Sequence, residues 1–119
     1  MESNKKIQDI KLSVYLYRDK NANCYVAYCP SLNLCGYDKT PASAQKDFQY
    51  VLSEYINDQM EQGTLFDDLK EHGWLIENDV ITAPSFNAMY RVKGSQLKDI
   101  VSDENKEYRR YNVALPYLA

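Results

Sequence analysis

Apolar and polar positions alternate in KLSVYLY (residues 11–17), with Leu12, Val14 and Leu16 on one side and Ser13, Tyr15 and Tyr17 on the other. A period of two carried by β-branched and aromatic residues predicts a strand. RDKNAN (18–23) is polar and rich in turn formers, and CYVAYC (24–29) restores β character, so the two runs predict an antiparallel hairpin. Pro30 has no N–H to give to a ladder and should end the second strand. SLN then leads to a third short strand over residues 34–37.

The period changes after DKTP. Thr40 suits a helix N-cap and Pro41 the first helical turn, where its missing N–H costs nothing. Ala44, Phe48, Val51, Leu52, Tyr55 and Ile56 recur at helical spacing, and Gly63 suits a C-cap, which together predict one long helix. Val26, Leu34 and Phe48 are expected to close over one another as the interior shared by strands and helix. TLFDDLKEHG (64–73) repeats the pattern on a smaller scale, with Thr64 as N-cap and Gly73 as C-cap. WLIENDVI returns to β character around a turn at Glu77, Asn78 and Asp79, and TAPSFNAM reads as a loop. GSQLKDIV predicts a short helix capped by Ser95, and YRRYNVALPYLA a final strand stopped by Pro116.

These elements predict an α+β fold: a small antiparallel sheet of three to four strands with one long helix packed on one face, in the order β-β-β-α-β. A short second helix and a C-terminal strand complete it. A chain of 119 residues is expected to form a single domain over 1–119, with its core at about 10–81. The extension over about 82–119 is read as an assembly strand, adding to its own sheet or to a neighbour's. Open sheet edges have to be covered or paired, so a homodimer or higher homo-oligomer is expected.

Charge changes the picture more than composition does. The net charge is −3, which disfavours a polyphosphate-binding molecule, but it is unevenly spread. Residues 1–37 carry +2, residues 38–79 carry −7, and residues 80–119 carry +2. Within the acidic segment Asp47, Glu54, Asp58 and Glu61 fall within about 60° of one another at roughly 100° per residue, a band of carboxylates along one side of the long helix. Such a band is commonly just a solvated face. It is also the chemistry of a docking strip for a basic partner.

Candidate chemistry elsewhere is sparse. Cys24, Cys29 and Cys35 follow a C-x4-C-x5-C spacing unlike the close pairs of zinc sites, and the single histidine, His72, lies far along the chain. The thiols are therefore read as reduced, inert and apolar in behaviour. A catalytic cysteine needs a base or a helix N-terminus nearby, whereas His72 sits where it would meet the last carbonyls of a helix. Gly36 is the only glycine between the third strand and the helix, too few for a phosphate loop, and no strand interior carries converging carboxylates. No enzyme activity, cofactor or metal is expected. Tyr15, Tyr17, Tyr25, Tyr28 and Tyr37 gather on the predicted strands, explained by cross-strand packing. As a base-stacking face they would have only Lys11, Arg18 and Lys20 near them. The polar N-terminus and the absence of an apolar run of about 20 residues point to a soluble, cytoplasmic protein with no membrane contact.

YVAYCPSLNLCGYDKTPASA (25–44) resembles the core signature of HicB-like antitoxins: an aromatic-led strand, a proline, a short loop, a glycine, then a threonine capping a helix. TLFDDLKEHGWLI (64–76) looks like the continuation found in a subset of that family, and the likeness spans residues 10–76. It implies a β-β-β-α core with a further strand, a partial ribonuclease-H-like arrangement without a nuclease site. It also implies a partner, a HicA-like toxin that is small, basic and RNA-cleaving, whose active surface the antitoxin covers. Many such antitoxins add a DNA-binding domain, but after Ile81 the pattern supplies neither a helix-turn-helix nor a ribbon-helix-helix, so operator binding is not expected. The alternative function is a stand-alone oligomeric interaction module or weak RNA-binding protein without a toxin partner.

Overall fold

The structure, a computed structural model, describes residues 5–77, 80–85, 88–89 and 106–118. Three strands open the chain: β1 (Lys5–Asp19), β2 (Cys24–Cys29) and β3 (Leu34–Asp38). Helix α1 (Pro41–Gln62) and helix α2 (Leu65–Glu71) follow, then the hairpin of β4 (Leu75–Glu77) and β5 (Val80–Thr82), and finally β6 (Glu107–Leu118). The main sheet is antiparallel with strand order β3-β2-β1-β6, while β4 and β5 pair separately. The α+β class and the expected order of elements are both present. The expected helix at Ser95 lies outside the described residues.

β1 is much longer than its alternating heart. It pairs with β2 only from Tyr15 to Asp19, but with β6 from Lys5↔Leu118 to Leu16↔Glu107. The C-terminal strand therefore joins its own sheet, and it runs through Pro116, which lies opposite Ile7. The expected stop at Pro116 is overturned because β6 is an edge strand, where one side of the backbone has no ladder to serve and a missing N–H is tolerated.

Helix α1 begins and ends as its sequence dictates. The Thr40 hydroxyl accepts from the Ser43 amide at 3.1 Å, and Ser43 Oγ accepts from the Thr40 amide at 3.1 Å, a capping box closed by serine. Gly63 takes the left-handed φ of 72° that ends the helix, with the Thr64 amide bonded back to the Gln59 carbonyl at 2.9 Å. At α2 the expected caps differ. The Thr64 hydroxyl turns to Gln59 Oε1 at 2.5 Å instead of capping, and the C-cap is His72, one residue before Gly73.

The helix sits on the face of Leu12, Val14, Leu16, Ala27 and Cys29, all buried with Ala44, Phe48 and Leu52 of α1 and Leu65 and Leu69 of α2. Gly36 makes this approach possible: a Cβ there would lie 2.2 Å from the Phe48 nitrogen, so the helix backbone rests directly on β3. Tyr111 of β6 meets Phe48 edge-on, with ring centroids 5.4 Å apart. Trp74 closes the far side, its indole N–H donating to the Ser31 carbonyl at 2.7 Å. Val26 does not join this interior, contrary to expectation. It is registered with Tyr17 and Tyr37 and is buried with Tyr15 and Tyr28 on the opposite face, where Met89 also packs. Strand parity is the reason: Ala27 and Cys29 take the helix side, which leaves the even-numbered residues of β2 for the other.

Candidate partner-binding face

The four predicted carboxylates share a helix side but not an environment. Glu54, Asp58 and Glu61 are exposed, whereas Asp47 is half-buried. Asp47 Oδ2 accepts the backbone N–H of Tyr37 at 2.9 Å, so its carboxylate closes an outward-facing amide on the edge strand β3. A bare edge amide invites pairing with another chain, and here a helix side chain covers it. Helix α1 lies on β3 near Phe48, so a position on this side is held against the sheet edge at Asp47 and is free of it two turns later.

The carboxylates of the remaining three make no hydrogen bond or ion pair among the described residues. Tyr50, 64 % exposed, lies one turn before Glu54 on the same side of the helix. Tyr50, Glu54, Asp58 and Glu61 occupy a strip within about 80° of arc and about 17 Å of helix length. Sequence reasoning assigned Tyr50 no role. Its place on the carboxylate side was readable from the helical period, but its exposure was not. An aromatic ring among carboxylates combines an apolar contact with charge that attracts cations, a combination typical of residues that dominate interfaces.

Behind the strip the two helices are tied together. The Tyr55 hydroxyl donates to the Asp68 carboxylate, and His72 Nδ1 lies 3.5 Å from the same carboxylate and 2.9 Å from the Asp68 carbonyl. His72 thus sits against the last carbonyls of α2, as its position predicted. Burial, with the Asp68 hydrogen bond adding to it, raises the Tyr55 phenol well above its ordinary value.

The thiols do not converge. Cys29 is fully buried, with Sγ 3.4 Å from Ser31 Oγ, and none of the three cysteines is joined in a disulfide. Partial burial of its sulfur, and then the Asp47 carboxylate, push the Cys35 thiol up, opposite to the shift that activates a nucleophile. Among the described residues no three His, Cys, Asp or Glu side chains are grouped to hold a metal, and no helix is long and apolar enough to cross a membrane. Compared with family models, with curated proteins and with solved structures, the chain finds no match.

Proposed function

We propose that this protein is a binding module of the HicB-like antitoxin kind, which takes a small basic protein onto the exposed strip of α1. The observation that carries the reading is the trio Glu54, Asp58 and Glu61, exposed and without partners among the described residues, beside the protruding ring of Tyr50. Surface carboxylates left unpaired along one rigid helix keep their full attraction for an incoming cation, because no internal partner has to be displaced. A protein that grips RNA has to be basic, so the surface it uses for RNA is the surface this strip would cover. The resemblance of residues 25–44 and 64–76 to the HicB-like signature supports the same reading and names the partner, a HicA-like RNA-cleaving toxin.

This reading expects a neighbouring gene to encode a small Lys/Arg-rich protein, and the test is to titrate that product with this protein and with a Glu54→Lys/Asp58→Lys/Glu61→Lys variant. Binding and protection of RNA from cleavage are expected for the natural chain and lost in the variant, with thermal stability unchanged. Asp47 stays untouched, because reversing it would unmake the bond to Tyr37 and confuse docking with folding. Equal affinity of both proteins at moderate salt rejects the strip as the dock.

A second reading concerns assembly. The outer edge of β6, twelve residues long, pairs with no strand among the described residues. Such an edge is a template for another chain, and we propose that a second copy covers it in a homodimer. Light scattering across a hundredfold range of concentration is expected to give twice the monomer mass. A monomer throughout refutes it.

A further inference from the structure

The opposite end of α1 has the opposite chemistry. Arg18 and Tyr25 are cross-strand partners at the end of the β1–β2 ladder, just beyond the start of the helix. Two neighbouring cavities, of about 350 and 540 Å³, share these two residues as walls. Lys20 lines the first, and Lys39 and Asn23 line the second. Both volumes fall in the range of small-molecule sites, roughly 300–1,000 Å³.

Among the described residues three of the lining side chains are cations. The neighbouring Asp19 and Asp38 carboxylates, which keep their charge, are turned to backbone amides and not to these cations. The Asp19 carboxylate accepts the amides of Asn21 and Ala22 at 3.0 and 3.2 Å, and the Asp38 carboxylate accepts the Lys39 amide at 2.8 Å. Glu107, the one carboxylate on the wall among the described residues, is paired with Arg109. Arg18 is held in place, its guanidinium donating to Asn23 Oδ1 at 2.9 Å, while Asn23 itself sits in the left-handed region at φ 55°. A positioned guanidinium presents a planar fork of donors suited to phosphate oxygens, and lysines beside it add charge. Tyr25, half-buried, offers an aromatic wall next to that fork, and every nucleobase has a face that can stack on one.

We propose that this cleft binds a nucleoside phosphate, with the phosphate between Arg18 and the lysines and the base against Tyr25. A short ligand fits better than a long one. The exposed carboxylates of α1 begin about 20 Å along the helix and repel a polyanion laid over the molecule. The site is independent of the acidic strip, so its test reads separately from that of partner binding.

The experiment is a titration of the isotope-labelled full chain, followed by amide resonances, with AMP, adenosine, ribose 5-phosphate and a 5′-phosphorylated RNA tetranucleotide. AMP is expected to shift the resonances around Arg18, Tyr25 and Lys39 and to bind more tightly than either adenosine or ribose 5-phosphate. Arg18→Ala with Lys39→Ala should weaken AMP about tenfold or more. Tyr25→Leu should lower AMP to the level of ribose 5-phosphate, and Glu54→Lys should not weaken it. Tighter binding of AMP than of the tetranucleotide identifies a free nucleotide as the source, and the reverse identifies an RNA end. Should Arg18→Ala fail to fold, Lys20→Ala and Lys39→Ala carry the same readout, since neither side chain makes a hydrogen bond among the described residues. Adenosine binding as well as AMP, no shifts at these residues, or affinity unchanged in the cation variants overturns the proposal.

Discussion

Gly36 is the residue on which the helix–sheet contact turns. A side chain there would enter the backbone of Asp47 and Phe48, which no rotamer change relieves. Gly36→Ala is therefore expected to cost about 3 kcal/mol or more, measured by urea unfolding, at the upper end of overpacking penalties. A loss under about 1 kcal/mol would mean that helix and strand separate easily at this point. Asp47 and Glu54 show how two residues of one type, seven positions apart on one side of a helix, divide between folding and display. The helical period placed both on that side. That one of them meets the Tyr37 amide depends on where the helix crosses β3, which periodicity does not contain. Val26 was misplaced for a related reason: CYVAYC is apolar on both faces, so alternation alone does not say which face meets the helix.

Helix α1 was the most legible element, because both caps and the apolar stripe are local and agree. Helix α2 was legible in position but not in its caps, since seven residues leave little for capping to decide and tertiary contacts set its ends. Its attachment to α1 through Tyr55 and Asp68 joins residues thirteen positions apart. A double-mutant cycle with Tyr55→Phe and Asp68→Asn should give a coupling energy of about 1 kcal/mol in thermal or urea unfolding, the usual size for hydrogen-bonded neighbours. Additive effects would show that this hydrogen bond does not tie the helices together and that apolar packing around Leu65 and Leu69 does. β6 was recognised as a strand from its alternation. Its register against β1, and its run past Pro116, depend on a partner strand about a hundred residues away.

Across the whole molecule the tyrosines couple stability to pH. Burial pushes the Tyr28 phenol up to about 12 and also raises Tyr17, Tyr55 and Tyr111. These phenols hold their protons longer in the folded chain than in the unfolded one, where they ionise near pH 10. Their contribution is therefore complete below about pH 10 and lost as pH rises toward 12 and beyond. Thermal midpoints followed by Trp74 fluorescence should stay level in this respect from pH 8 to 9 and fall steeply between 10 and 12. Tyr28→Phe should reduce the slope, and an unchanged slope would count against the burial of that phenol. The acidic centre of the chain, visible as −7 over residues 38–79, becomes in three dimensions a molecule with unlike ends: cations gather where α1 begins and unpaired carboxylates line its later turns. By itself the sequence determined the order of the described strands and helices, where α1 starts and stops, and where charge accumulates, because these depend on neighbours within a turn or two. Only the tertiary structure decided which carboxylates remain free, which face of β2 is interior and how β6 closes the sheet, because each depends on contacts between segments far apart in the chain.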